Sequence, residues 1–407
     1  MHIASRRCPV CRSELLYEVL HWPNIPANSA LFFRTEAEAR RHPRGSLRLA
    51  GCNSCGFLFN ADVDESLIEY SARSIETQAW SEHFSAFSTS LASDWVAEWD
   101  LSGKTTLEIG CGRHPTFLEL MCSFTGRRGI GIDPALDISA EADLELIADR
   151  FDHRFVDLQA DAVVCRHTLE HIVDVAAFLG DLREWAHRHP QAVFLFEVPD
   201  AERILQRTTF WDVYYEHCSY FGPCSLRQAF TLHGFAVHEV RRVYDDQYLI
   251  LAARAGDGPA RAGGSPCGAE MRMLATAFGV RTRAATKRMQ RVFASLAAEG
   301  PLVVWQAGAK IVGLLAATDA SRYVTALADA NPDKHGLFIV GSGLPIVGAD
   351  EVRKIGPKHV VLMNEVYVDE VRATLAGAGV DAHLHTANDL LGVSHTMMRS
   401  QEGEETG

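Results

Sequence analysis

Short apolar runs that stop at a glycine or a carboxylate punctuate the middle of the chain. Thr105–Ile109 runs into Gly110-Cys111-Gly112, and Gly129–Ile132 stops at Asp133. Asp161–Cys165 runs into Arg166-His167, and Val193–Phe196 leads to Glu197-Val198-Pro199-Asp200. Each run has the length of a buried strand, and helix-like text such as Phe117-Leu118-Glu119-Leu120 lies between them. Strands alternating with helices predict a parallel α/β sheet with ligands outside the carboxyl ends of the strands. Tyr244 to Ala253 has the texture of a late strand. The pattern returns in a smaller second unit. There Leu302–Trp305 runs into Gln306-Ala307-Gly308, Tyr323–Ala328 stops at Asp329, and His359–Asn364 is strand-like.

Helical spacing marks two further stretches. From Glu65 to Trp99, Ile68, Ala72 and Ile75 share one face, and so do Phe84, Phe87, Leu91 and Trp95. Tyr70, Gln78 and Ser81 fall on the polar faces. After a Gly/Ala/Pro-rich linker from Arg254 to Gly268, a long helix carries Met289, Val292, Phe293 and Leu296 on one side. Arg281, Lys287, Arg288 and Arg291 lie elsewhere on it and are expected to be solvated.

A chain of 407 residues is expected to hold two or three domains. Its 39 basic against 52 acidic residues give a formal charge of -13. That balance argues against broad nucleic-acid binding, which wants a basic face. No apolar run reaches the roughly 18 residues of a membrane helix, and none follows the first residues as in a secretory signal. A cytoplasmic protein without membrane contact, a monomer or weak dimer, is the expectation.

Four of the ten cysteines form two close pairs, Cys8-Pro-Val-Cys11 and Cys52-Asn-Ser-Cys55, the second followed by Gly56. Two such knuckles can give four thiolates to one tetrahedral zinc ion, and four thiolates leave no open position for chemistry. A structural zinc is expected, with residues 12–51 folding between the pairs. The other six cysteines are scattered singly. In a cytosolic chain, close pairs suggest metal rather than disulfides.

The turn Gly110-Cys111-Gly112 and the acid Asp133 are separated by about 20 residues, the interval between a nucleoside-binding turn and a ribose-binding carboxylate. The glycines let backbone approach a ligand, and Glu108 is placed to brace the loop. His167 lies at the carboxyl end of the next strand, on the same ligand-facing edge. One pattern there is read as a decoy. His167-x-x-Glu170-His171 matches an inverted zinc-protease motif, which needs a helix and a third ligand, whereas this one directly follows a strand.

Residues 211–221 read Trp-Asp-Val-Tyr-Tyr-Glu-His-Cys-Ser-Tyr-Phe. An imidazole, His217, follows a carboxylate, Glu216, among the rings of Tyr214, Tyr215, Tyr220 and Phe221. Aromatic neighbours dry a site, and imidazole titrates near neutral pH, so the stretch suits proton transfer.

With these motifs in order, the chain resembles the S-adenosylmethionine-dependent nucleotide-sugar C-methyltransferases, over nearly its whole length. Leu107-Glu108-Ile109-Gly110-Cys111-Gly112 and Gly131-Ile132-Asp133-Pro134 correspond to the methyltransferase motif and its ribose acid. Leu169-Glu170-His171 follows the fourth strand, as in many class I enzymes. The family's Tyr-His-Glu-His-x-Ser-Tyr-Phe signature corresponds to Tyr214–Phe221, and its Asp-x-Asn-Pro-x-Lys-x-Gly to Asp329–Gly336. The resemblance implies three α/β-centred parts. They are a zinc-binding domain (1–65) joined by linking helices (66–100), and a class I Rossmann-like methyltransferase domain (101–255). A linker and long helix (256–300) then lead to a C-terminal Rossmann-like α/β substrate-binding domain (301–395) and a disordered tail (396–407). It implies catalysis by His217 with Glu216 and Tyr214, and S-adenosylmethionine held by Glu108, Gly110, Gly112, Asp133 and His167. Cys8, Cys11, Cys52 and Cys55 would hold the zinc, and the acceptor would be a nucleotide sugar. The chain departs from the family at Tyr215, where a histidine is usual, at Arg113-His114-Pro115 after the glycine loop, and at Gly308–Gly313. Two other readings remain open at this stage. One is an O- or N-methyltransferase of a sugar or small metabolite, and the other a non-catalytic, zinc-stabilised nucleotide-binding protein. An NAD-dependent oxidoreductase is disfavoured because Gly110-Cys111-Gly112 lacks the third glycine.

Overall fold

The computed structural model describes residues 7–69, 80–136, 144–256 and 267–392, together with 71, 73 and 75. Tyr70, Gln78, the 257–266 part of the linker and the tail at 396–407 lie outside the described residues.

The N-terminal part holds β1 (Leu16–Pro26), β2 (Phe32–Phe33), α1 (Glu36–Arg41), β3 (Arg44–Cys52) and β4 (Leu58–Asn60). β1, β3 and β4 pair antiparallel in sequence order. Thr35 caps α1 by accepting the Glu38 N–H. Among the described residues of the stretch 65–99 expected to be helical, α2 (Glu82–Glu98), capped by Ser81, is the α-helix. Among the described residues upstream, Glu65–Leu67 form a 3-10 turn, after which Ile68 is extended; Ala72 lies outside the described residues. The spacing of Ile68 and Ile75 fits a helix, yet both pack against the first core. Tertiary contact decided the backbone there.

The central sheet is built from β5 (Thr106–Ile109), β6 (Ile130–Ile132), β7 (Glu145–Ile147), β8 (Ala162–Arg166) and β9 (Val193–Pro199). Their crossovers use α3 (Thr116–Thr125) and α4 (Val175–Arg188); α5 (Ala201–Arg207) and α6 (Pro223–Leu232) follow β9. Between α5 and α6, β10 (Ser219–Tyr220) leaves this sheet and pairs with β4. The antiparallel pair β11 (Phe235–Val243) and β12 (Tyr248–Ala255) closes the sheet in the order β11-β12-β9-β8-β5-β6-β7. The five strands β5 to β9 are parallel. Their order turns between β5 and β8, and that switch point opens the ligand crevice of a doubly wound fold.

The long helix α7 (Cys267–Ala298) has 32 residues, about 48 Å at 1.5 Å per residue. It runs across all three parts. Gly268 lies so close to the second cysteine knuckle that a Cβ there would meet the Asn53 carbonyl oxygen at 1.8 Å. Further along, the Arg281 guanidinium donates to the Leu205 carbonyl, and Arg288 donates to the Leu390 carbonyl at 2.9 Å. The C-terminal unit has β13 (Leu302–Trp305), α8 (Ala309–Thr318), β14 (Ala326–Ala328), β15 (Phe338–Ile339) and β16 (Ile346–Val347). It continues with α9 (Ala349–Ile355), β17 (His359–Leu362), α10 (Val368–Gly377), β18 (His383–Thr386) and α11 (Ala387–Leu391). Five of these strands form a parallel sheet in the order β16-β14-β13-β17-β18, while β15 pairs with β2.

Two of the singly scattered cysteines meet. Cys224, in the first turn of α6, and Cys267, at the start of α7, form a disulfide with Cα atoms 5.8 Å apart. Their separation of 43 residues hides this pairing from any spacing rule. Among the described residues, no helix is long and apolar enough to cross a membrane.

Candidate functional site

Four thiols gather at the N-terminal end. Cys8 Sγ lies 3.6 Å from Cys55 Sγ, and Cys11 Sγ lies 3.5 Å from Cys52 Sγ. A tetrahedron of 2.3 Å zinc–sulfur bonds has sulfur edges of about 3.8 Å, so the cluster has the size of a metal cage. The four Sγ atoms lie within 4.8 Å of one another and could hold a metal ion. Contact with the Cys11 thiol and burial push Cys8 and Cys55 well up, while contact with Cys11 pulls Cys52 down. Packed thiols cannot all ionise unless a cation joins them.

At the switch point, β5 runs into Gly110, whose φ of 74° is left-handed. A Cβ there would fall 1.9 Å from Thr168 Oγ1, so glycine alone fits between the loop and the end of β8. Gly112 donates its N–H to Asp133 Oδ2 at 3.0 Å, and Ala135 donates to Asp133 Oδ1 at 2.7 Å. The acid at the end of β6 thus clamps the glycine turn. Burial raises the Asp133 carboxyl, and the two N–H groups counter that. Glu108 is buried on β5 beside this loop.

His167 takes a left-handed φ of 49° just past β8. Its Nε2 sits 2.8 Å from Glu197 Oε1, a close ion pair, and its Nδ1 lies 3.7 Å from Glu170 Oε1. Arg166 Nε donates to Glu197 Oε2 at 2.8 Å. Burial opposes charge on the imidazole, but Glu197 and Glu170 outweigh it and raise His167 to about 9.

The aromatic stretch lies beside these strand ends and is fastened to the turn after β8. The carbonyl of Glu216 accepts from His171 Nδ1 at 3.1 Å, and Ser219 Oγ donates to the Ile172 carbonyl at 2.7 Å. The Cys218 thiol donates to the Glu170 carbonyl at 3.6 Å. His217 Nε2 and Tyr214 Oη share a hydrogen bond of 3.1 Å, and the rings of His217 and His171 meet edge to face at 4.7 Å. Burial, and then the charges of His171, His167 and Lys310, hold the His217 imidazole well below its ordinary value. Burial drives the Tyr214 phenol well above its own. Near neutral pH the pair is therefore a neutral imidazole beside a protonated phenol, one able to take a proton and the other able to give one.

The side chain of Glu216 points the other way. Its carboxylate accepts the Ser29 N–H at 2.9 Å and also the Ser29 hydroxyl, joining the stretch to the loop after β1. Tyr215 likewise leaves the site. Its hydroxyl accepts the Asp64 N–H at 2.7 Å, and its ring covers Gly45, where a Cβ would come within 2.3 Å. The tyrosine at the family's histidine position is thus a contact to the N-terminal part.

Sequence reasoning missed three contributors. His171 and Glu170 were visible as parts of a protease-like pattern and of the element after the fourth strand, but with no role at the site. Lys310, in the first turn of α8, pairs with Asp212 at the head of the aromatic stretch. No local pattern signals a pair 98 residues apart. In the C-terminal unit, Asp329 Oδ2 accepts the Ala307 N–H at 2.9 Å, and Lys334 Nζ donates to the Ala307 carbonyl at 2.9 Å. A strand-end acid clamps a turn there, as Asp133 does in the central sheet.

Residues 83–240 match the family model described as a methyltransferase domain, and residues 267–380 match the C-methyltransferase C-terminal domain. The chain thus carries a methyltransferase domain followed by a C-methyltransferase C-terminal domain. The methyltransferase is 26% identical to the C-methyltransferase NovU of Streptomyces niveus over 291 residues, 66% of this chain and 68% of that protein. Among solved structures it is similar to the 1,6-didemethyltoxoflavin-N1-methyltransferase of Burkholderia thailandensis, with bound S-adenosylhomocysteine. That match has 15% identity and a TM-score of 0.33, and covers 44% of this chain and 81% of that one. It is also similar to the magnesium protoporphyrin IX methyltransferase of Synechocystis PCC 6803. There the identity is 15% and the TM-score 0.29, with 43% of this chain and 80% of that one covered.

Proposed function

We propose that this methyltransferase moves a methyl group from S-adenosylmethionine to the carbon beside the ketone of a nucleotide-activated keto sugar. The observation that carries the reading is the partly buried, hydrogen-bonded His217–Tyr214 pair at the ligand-facing edge of the methyltransferase sheet. The C-methyltransferase C-terminal domain and the likeness to NovU support carbon as the acceptor atom.

The residues at the switch point fit the methyl donor. Gly110 and Gly112 carry no side chain where backbone would approach the donor, and Asp133 stands at the end of β6 for the ribose hydroxyls. Glu108 and His167 border the same edge. When bound, S-adenosylmethionine supplies a methyl group already activated by its sulfonium charge. The protein's own task is to align the acceptor and move one proton. His217 takes the proton from the carbon beside the carbonyl, and Tyr214 stabilises the enolate oxygen by donating to it. Glu216 holds the stretch against Ser29, so the histidine keeps its place. Lys310 ties the C-terminal unit, which we assign to the nucleotide part of the acceptor, to Asp212. The four cysteines hold a structural zinc ion away from the reaction.

The test is a product analysis. The methyltransferase is incubated with a panel of nucleoside diphosphate keto sugars and methyl-deuterated S-adenosylmethionine. A deuterated methyl group on a ring carbon, read by NMR of the carbon skeleton, supports the reading. A methyl group found on oxygen or nitrogen replaces it with the O- or N-transfer alternative.

A further inference from the structure

We infer that Glu170, His171 and His217 form a binding site for a divalent first-row transition ion, separate from the four-thiol cluster. An ion held there silences the enzyme.

One donor atom from each of the three residues lies within 4.8 Å of the others. Two imidazoles and a carboxylate are a nitrogen–oxygen set that suits zinc, cobalt or nickel and disfavours magnesium or calcium. The donor atoms need draw together by about an ångström to meet bonds of about 2.1 Å. His171 is already oriented for it. A carbonyl can only accept, so the 3.1 Å bond to the Glu216 carbonyl puts the proton on Nδ1. The lone pair stays on Nε2, as in metal-bound histidines whose other nitrogen is fixed by a backbone acceptor.

Glu170 gives the second observation. It is 2% exposed, and neither of its carboxylate oxygens accepts a hydrogen bond. Its cationic contact is His167 Nδ1 at 3.7 Å, too long for a hydrogen bond. A buried carboxylate in that condition is costly, and a bound cation removes the cost. The frame is also firm, because the Cys218 and Ser219 side chains bond the aromatic stretch to the Glu170 and Ile172 carbonyls.

These residues recast the His167-x-x-Glu170-His171 pattern. As a protease motif it lacked a helix and a third ligand. The fold supplies the third ligand from the aromatic stretch, as His217, and turns His167 away to Glu197. The inhibitory part rests on the reading of His217 as the base, since the ion takes the lone pair that must accept the proton. Ion binding itself does not depend on that reading.

The test uses full-length enzyme with the four-cysteine cluster saturated with zinc. Cobalt(II) is titrated in and followed by visible absorption. One further ion per chain is expected, with weak d–d bands and no intense thiolate charge-transfer band. Glu170→Gln and His171→Asn should each weaken it by more than about tenfold. Added zinc should displace the cobalt from wild type, a check that needs no variant. Turnover should fall with the same midpoint as the absorption rises. No d–d bands, or equal cobalt affinity in wild type and both variants, overturns the site. Cobalt bound as expected with turnover unchanged upholds the site and removes His217 as the base.

Discussion

Tyr214 Oη and His217 Nε2 lie 3.1 Å apart, and their ring centroids 4.2 Å apart. The phenol therefore orients the imidazole that we propose as the base. Tyr214→Phe keeps the ring and removes the hydroxyl. Loss of one positioned hydrogen bond of about 1.4 kcal/mol should lower kcat by about tenfold, with donor affinity unchanged. A steady-state kcat equal to wild type would show that the hydroxyl takes no part.

Asp133 serves the glycine turn as well as the proposed donor. Asp133→Ala removes the acceptor of the Gly112 and Ala135 N–H groups together with the proposed ribose contact. Loss of charge-assisted hydrogen bonds worth about 2–3 kcal/mol should weaken S-adenosylmethionine by one to two decades, roughly. Calorimetry giving the wild-type affinity would place the donor elsewhere.

Much of this was legible in the chain. The runs ending at Gly110, Asp133 and His167 are strands β5, β6 and β8, because a buried parallel strand needs only a short apolar run. The Gly112–Asp133 interval was visible because turn, helix and strand have fixed lengths. What stayed hidden depends on long-range packing. Glu216 resembles a catalytic neighbour in the sequence, but its carboxylate turns to Ser29, 187 residues away. Tyr215 turns to Asp64 in the same way. Tyr215 and Glu216 form a turn that carries both side chains to the N-terminal part, while His217 just beyond it meets Tyr214 and His171. The helix expected across Ile68 failed for a related reason, since local spacing does not report which core an apolar residue joins.

The four-thiol cluster carries a prediction about metal. Purified protein should contain about one zinc ion per chain. Cys52→Ser should lower the unfolding midpoint before it changes the catalytic constants of the folded fraction. Metal analysis that finds none, in protein prepared without chelator, contradicts the assignment.

The ion cluster at the end of β8 sets a pH dependence. Burial favours the neutral form of Glu197, but Arg166 and His167 hold its carboxyl down at about 2. Glu197 and Glu170 hold His167 up at about 9 despite burial. The histidine's contribution to stability is whole below its unfolded value of about 6.5 and fades as pH rises through 9. The carboxylate's contribution is whole above about 4.3 and fades as pH falls through 2. Both are complete between about pH 4.5 and 6.5. Urea midpoints of wild type and His167→Asn should differ most near about pH 6 and converge above about pH 9. A gap of constant size across that range would mean that His167 gives no charge-dependent stability.

The central claim is that His217 removes a proton from carbon. The most direct measurement is solvent exchange on a nucleotide keto sugar, with S-adenosylhomocysteine in place of the methyl donor, in deuterated water. Wild type should wash deuterium into the position beside the ketone. His217→Asn should bind S-adenosylmethionine normally, lose that exchange, and turn over about 10²–10⁴-fold more slowly. Exchange at the wild-type rate in the His217→Asn variant would contradict the account.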